Sequence, residues 1–302
     1  MVGHRLMGTT LLCTGDIAAG RIHVDRAIAL YNPLEDRPLA TRFGQDIRVV
    51  LLSWLSLALW VLGYPEVAFA VSARALSDAR EIGQAASLMY ALTVTVLTHI
   101  HGGNYPTARM QSDEAVALTS ETGAVFWKAF ALMNQGWLSA VNGKAEHAVR
   151  TISSGIASYR STGATLLTPL YLLHLTRAYV ELGQFEDASR CVGEALTGIE
   201  TSKERWVEAE AHRIAGEVSL MSPGGSTAKA EAYFDSALAI ARAQQAKSWE
   251  LRAAISMARL WRDQGKRHEA YDLLAPVYGW FTEGFDTLDL KEAKALLFEL
   301  SS

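Results

Sequence analysis

Apolar and polar positions alternate at helical spacing along the chain, with apolar residues three and four apart in segments such as Ser72 to Ile82 and Asp187 to Ile199. No stretch shows the strict two-residue alternation of a half-buried strand. The helical segments are punctuated at a constant period. Gly63, Gly103, Gly143 and Gly183 stand 40 residues apart, and Ala68, Ala108, Ala148 and Ala188 each follow five residues later. Gly225 with Ala230 and Gly265 with Ala270 repeat the pair, and Gly15 is followed at that offset by Gly20. Twelve residues past the same glycines the chain again holds something small: Ala27, Ala75, Ala115, Gly155, Ala195 and Ala237, the last repeat departing with Val277.

A second series, Gly83, Gly123 and Gly163, falls where a second helix would end, as a left-handed cap requires. Two punctuation marks per period predict two helices per unit. Small residues beside a tight turn let antiparallel helices approach closely, which a bulky side chain at the crossing would prevent. The seven prolines agree with this reading, since none interrupts the middle of a predicted helix, where it would cost about 3 kcal/mol. Pro65 and Pro106 open second helices, Pro169 lies in a first turn, and Pro33, Pro38, Pro223 and Pro276 fall in connections or near an end.

The pattern predicts an all-α chain: a right-handed superhelical solenoid of about seven antiparallel helical hairpins, forming one domain over residues 1–302. The hairpins span about 4–31, 46–82, 85–122, 125–162, 166–200, 205–244 and 247–282, and a capping helix covers 288–300. Asp286, Thr287 and Asp289 are its candidate N-caps.

Composition narrows the function classes. Half of the 302 residues are hydrophobic and a fifth are charged, which leaves ample apolar surface to bury. A net charge of −4 gives no basic footprint for nucleic acid. Cys13 and Cys191 stand alone, without metal or redox spacing, and suit a reducing cytosol. No signal peptide is expected, because His4, Arg5 and Asp16 interrupt the opening segment. The apolar stretch Val49 to Leu62 holds 14 residues, short of the roughly 20 that a bilayer span needs, and reads as a buried helix. A cytoplasmic protein without membrane contact is the expectation.

The glycine and alanine spacing resembles tetratricopeptide repeats, although a period of 40 exceeds their usual length. The runs Leu57 to Ala68 (LALWVLGYPEVA), Gln244 to Ala254 (QQAKSWELRAA) and Leu273 to Leu297 (LLAPVYGWFTEGFDTLDLKEAKALL) carry a sharper resemblance. They are similar to the C-terminal tetratricopeptide-like region of bacterial proteins that join a class III adenylate or guanylate cyclase domain to an AAA-type ATPase. The resemblance implies a non-catalytic interaction or regulatory module, seen here as a separated piece of that architecture or a truncated descendant.

Chemical motifs do not compete with that reading. Gly224-Gly225-Ser226-Thr227-Ala228-Lys229 lacks the order of a phosphate loop and reads as a turn with Ser226 or Thr227 capping a helix. Ser226 and Lys229 match SxxK without its SDN and KTG partners. His99 and His101, two apart on a helix, diverge too far to share an ion, and Glu208 with His212 makes only two ligands on one face. Neither catalytic residues nor a cofactor or metal are expected.

First helices of stacked hairpins line the concave side, the usual docking surface of such arrays. Transferring the tetratricopeptide positions through the shared glycine places Trp60, Tyr90, Phe130, Met133 and Trp137 on that side, with Val50, Leu57, Leu97, Leu170 and Leu173. The last repeats present Arg213, Arg252 and Arg259, with Glu210, Glu217 and Arg262. A groove that runs from aromatic to charged suits an amphipathic helix or a peptide with an acidic end. The expected partners are a protein or peptide, including a separate cyclase or ATPase module or a second copy of the chain. The alternative is an effector sensor, with Trp60 and Trp137 stacking on a small ligand. The absence of Asp, Glu, Lys and Arg between Glu81 and Arg109 predicts that something covers that region.

Overall fold

The computed structural model describes residues 1–301, apart from the Phe43 side chain. Helices account for most of it, and no strand occurs among the described residues. The main helices run α1 (Val2–Thr14), α2 (Ile17–Ala29), then the single turns α3 (Pro33–Asp36) and α4 (Ala40–Phe43), then α5 (Ile47–Val61), α6 (Pro65–Ile82), α7 (Ala85–His101) and α8 (Tyr105–Thr122). They continue as α9 (Val125–Val141), α10 (Ala145–Ser161), α11 (Thr168–Glu181), α12 (Phe185–Ser202), α13 (Glu208–Met221) and α14 (Thr227–Ala243). α15 (Lys247–Asp263), α16 (Arg267–Gly279) and α17 (Leu288–Ser301) complete the order.

The chain divides into two compact units, one of Met1–Trp60 with Pro65–Thr165, the other of Val61–Tyr64 with the residues from Leu166 onward. Within each unit sequential helices pack as antiparallel pairs, and four second helices also pack on the next first helix, α6 on α7, α8 on α9, α12 on α13 and α14 on α15. First helices touch in series as well, α7 on α9 and α13 on α15.

The small residues sit where the helices cross. Ala68, Ala108, Ala148, Ala188, Ala230 and Ala270 have no exposed surface, and neither do Ala27, Ala75, Ala195 and Ala237. Gly155 shows the tolerance directly, because a Cβ there would lie 2.5 Å from Met133 Cγ. The turns need left-handed backbone: Gly103 and Gly143 close theirs at φ +72° and +71°. In the sixth pair the left-handed residue is Gly224, at φ +74°, rather than the Gly225 that keeps the sequence register. Gly225 is there for space, since a Cβ would meet the Ser219 carbonyl at 2.2 Å. Ser226 caps α14, accepting from the Lys229 amide at 3.2 Å. Thr287 instead donates to the Gly284 carbonyl, and Asp289 pairs with Arg252. Pro276 lies inside the last turns of α16.

The uncharged region is covered from inside its own unit. α7 packs against α6, α8 and α9, and thirteen of its residues are buried. The apolar α5 is equally buried from Val49 to Val61. No single helix among the described residues is long and apolar enough to cross a membrane.

One repeated polar device was not legible as such. The residues that enter three of the loops before first helices, Gln84, Glu204 and Gln244, stand at multiples of 40 from one another and reach back to the preceding loop. Gln84 donates to the Ala40 carbonyl at 3.3 Å, and Gln244 to the Arg205 carbonyl at 2.9 Å. Glu204 accepts instead, from the Leu167 amide at 2.9 Å and from the Trp206 indole at 3.0 Å. Burial pushes its carboxyl from 4.5 up to about 7, against the pull of those two N–H groups. A folded-state pKa above the unfolded one means a contribution fully present below pH 4.5 and lost as the pH rises through about 7. Glu204→Gln is expected to remove that dependence, so that the variant gains stability over wild type at pH 8, on the order of 2 to 3 kcal/mol, and little or none at pH 4.5. Urea midpoints at the two pH values check this, and an equal effect at both would exclude a charged, desolvated Glu204.

Candidate partner-binding surfaces

The aromatic positions expected to line an open groove in the first unit are core instead. Trp60 is 2% exposed and stacks on His101, ring centroids 4.9 Å apart. Phe130 packs edge-on to Tyr159, Met133 seats over Gly155, and Trp137 on α9 is 8% exposed. These four side chains offer a partner almost no surface, because close approach of the small-residue crossings leaves first helices buried on more than one side. Tyr90 is the exception among the five. It is half-buried, and its hydroxyl accepts from the Trp54 indole at 2.7 Å. Beside it stand Trp127, at a ring distance of 5.3 Å, and Phe126, all partly accessible. Trp54, Tyr90 and Trp127 follow one another at 36 and 37 residues, off the 40-residue period, so register counting passed over this cluster.

His99 and His101 diverge, as their spacing requires. His99 lies flat on Phe69 at 5.1 Å with a hydrogen bond to Ser72, and burial pulls its pKa down to about 4. Among the described residues no group of three or more His, Cys, Asp or Glu could hold a metal ion.

In the second unit the arginines are brought together, but their charges are already answered. Arg213 on α13 is buried and grips Glu210 with two bonds of 2.6 and 2.7 Å. It also donates to Glu217 and to Ser256, the latter at 3.3 Å. Arg252 on α15 lies over the Trp249 ring at 5.3 Å and donates to Asp289 of α17 at 2.8 Å, with Glu210 at 3.5 Å. Burial alone would raise the Glu210 carboxyl, but Arg213, with Arg252 and Arg177 behind it, holds it down at about 2. His174 of α11, buried near the same charges, is driven down to about 3 by desolvation and by Arg177. Arg259 remains at the surface, 46% exposed, against Glu292 at 3.3 Å, and Arg262 pairs with Asp263 and Glu299. A simple basic groove for an acidic peptide is therefore not what these residues form. They form a self-neutralised wall of ion pairs on first helices and α17.

The register shared through the turn glycines locates the change of character. Thirteen residues before that glycine stand Val2, Val50, Tyr90 and Phe130 in the first unit, then Leu170, His212 and Arg252 in the second. Six residues before it stand Thr9, Leu57, Leu97 and Trp137, then Arg177, Ser219 and Arg259.

These helix pairs, turns and small-residue crossings define a tetratricopeptide-type fold. Solved structures agree. A Rap protein in complex with competence and sporulation factor matches with a TM-score of 0.66 at 13% identity, covering 99% of this chain and 79% of that one. The Rap conjugation regulator of plasmid pLS20, in complex with the Phr* peptide, matches with a TM-score of 0.67 at 11% identity, covering 99% and 73%. Apo RapI gives 0.57 at 13% identity, covering 99% and 98%. No family model and no curated protein matches the sequence.

Proposed function

We propose that the chain is a non-catalytic interaction module that binds a protein or peptide segment along the first helices of its second unit. The replacement of apolar residues by arginines at equivalent positions, Arg252 for Phe130 and Arg259 for Trp137, supports this reading. A buried ion pair adds little net stability over well-packed apolar side chains, because desolvation offsets the attraction. The first unit fills those positions with uncharged side chains, so folding does not demand the charges. Recognition does: Arg252, Arg259, Glu217 and Glu292 keep partial or full exposure and present both signs within one strip. A polar peptide can exchange its own groups for the existing pairs, which gives specificity more than affinity. That one fold neighbour was solved in complex with competence and sporulation factor and another with the Phr* peptide supports the same reading.

The sequence resemblance adds the finer proposal that the partner is a cyclase or ATPase module, joined or separate, in the cytoplasm. Panning a random peptide library against the full chain tests the binding surface. The expected result is enrichment of a peptide family whose capture falls at least about tenfold with Arg259→Glu or Glu292→Lys, both surface changes that leave the helix content intact. Binders indifferent to both reversals, or no enrichment, would refute the assignment.

A further inference from the structure

Between α8, α9 and the start of α10 the first unit holds an open cavity of about 320 Å³. Arg109 and Asp113 of α8, Gln135 and Ser139 of α9, and Lys144 and His147 at the start of α10 line it. The second unit holds a cavity of about 310 Å³ at the same place in its own repeats, where Ser189, Gly193, Ala215, Ser219, Ser226 and Lys229 stand 80 or 82 residues on.

Elsewhere the chain fills this place itself. Forty residues before Arg109 and Ser139 stand Phe69 and His99, whose rings lie flat on one another at 5.1 Å. Gly102 makes room for them, because a Cβ there would stand 2.4 Å from the Phe69 ring. Glu231 and Trp261, 42 residues after Ser189 and Ser219, are joined by a hydrogen bond of 2.7 Å from the indole. An aromatic side chain thus occupies the place in two repeats, and Arg109 with Ser139 leaves it open in the first unit.

The opening is electropositive. Among the described residues neither Arg109 nor Lys144 pairs with a carboxylate, whereas Arg48 and Arg80 of the same unit are answered by Asp78 and Glu114. Asp113, the carboxylate on the cavity wall, accepts a hydrogen bond of 3.0 Å from Gln135 instead of pairing with Arg109. Two cations therefore face one carboxylate, with His147 as a further donor. The second oxygen of Asp113 and the side-chain carbonyl of Gln135 stay available as acceptors.

We infer that this cavity binds a small phosphate monoester of a hydroxylated carbon chain, with its phosphate on Arg109, Lys144 and His147 and a hydroxyl on Asp113 and Gln135. Each part of that ligand answers a part of the wall. A dianion with three terminal oxygens uses all three donors in charge-assisted bonds, whereas a carboxylate, with one charge and two oxygens, leaves a donor unanswered. Hydroxyls donate, so they match the Asp113 end, which repels a second anionic group. A cavity of this size stands at the lower end of the range for small-molecule sites, which suits a compact ligand. The site is separate from the peptide surface proposed above and stands or falls without it.

Calorimetric titration of the full chain at low ionic strength tests the inference, with glycerol phosphate, glycerate, inorganic phosphate and glycerol as probes. The expected result is saturable binding of one glycerol phosphate per chain, at least about tenfold tighter than inorganic phosphate or glycerate, and no binding of glycerol. Arg109→Ala and Lys144→Ala should each weaken it at least about tenfold, and Arg150→Ala, on the exposed face of α10 outside the cavity, should not. Asp113→Asn should weaken glycerol phosphate and spare inorganic phosphate. Arg109→Phe combined with Ser139→His and Asn142→Gly copies the filling by Phe69, His99 and Gly102 and should abolish binding, with circular dichroism checking that every variant stays folded. No binding of glycerol phosphate, binding indifferent to both Arg109 and Lys144, or equal binding of glycerate or inorganic phosphate overturns the inference.

Discussion

Arg213→Ala is expected to destabilise the second unit by about 3 to 5 kcal/mol, because it strands the buried Glu210 carboxylate without the guanidinium that holds it ionised. The cost belongs to the orphaned charge, not to the lost bonds. Removing both partners together should therefore be far cheaper: Glu210→Met with Arg213→Leu leaves Glu217 to turn toward solvent and Arg252 on Asp289, and the double variant is expected within about 1 kcal/mol of wild type. Urea unfolding of the two variants checks the pair. A loss below about 1 kcal/mol for Arg213→Ala would mean that the network is solvated. The double variant also separates stability from recognition, since a folded chain that no longer captures the selected peptides assigns the ion pairs to binding.

Trp137→Ala is expected to cost about 3 to 5 kcal/mol of folding free energy in the first unit, the range for truncating a buried aromatic. Trp137 lies one residue from Gly136, whose place is so tight that a Cβ would stand 2.6 Å from the Ile152 side chain, so the surroundings have little freedom to collapse into the void. A urea midpoint that barely moves would return Trp137 to the groove reading that the repeat register suggested. Weakened peptide capture without a stability loss would do the same.

The candidate site illustrates where sequence reasoning stops. The helix pairs were legible because each depends on residues close in the chain: a glycine that can turn left-handed, an alanine five residues later at the crossing, Ser226 capping α14. The register named the first-helix positions, but their accessibility could not be read from it. Trp137 and Arg259 occupy the same register, and one is buried while the other is at the surface. Glu210 was placed beside Arg213 by the same register, three residues away, whereas Asp289, which neutralises Arg252, lies 37 residues on and outside it.

The sequence by itself determined that this protein is a helical repeat array with tight, small-residue crossings, because period, turn chemistry and crossing sterics act within one 40-residue unit and recur in each. Only the tertiary structure decided which faces of those helices meet water. Burial is set by how neighbouring pairs close on one another, and that depends on side chains a full repeat or more apart. It made Trp60, Phe130, Met133 and Trp137 core, closed the ion pairs around Arg213 and raised Glu204.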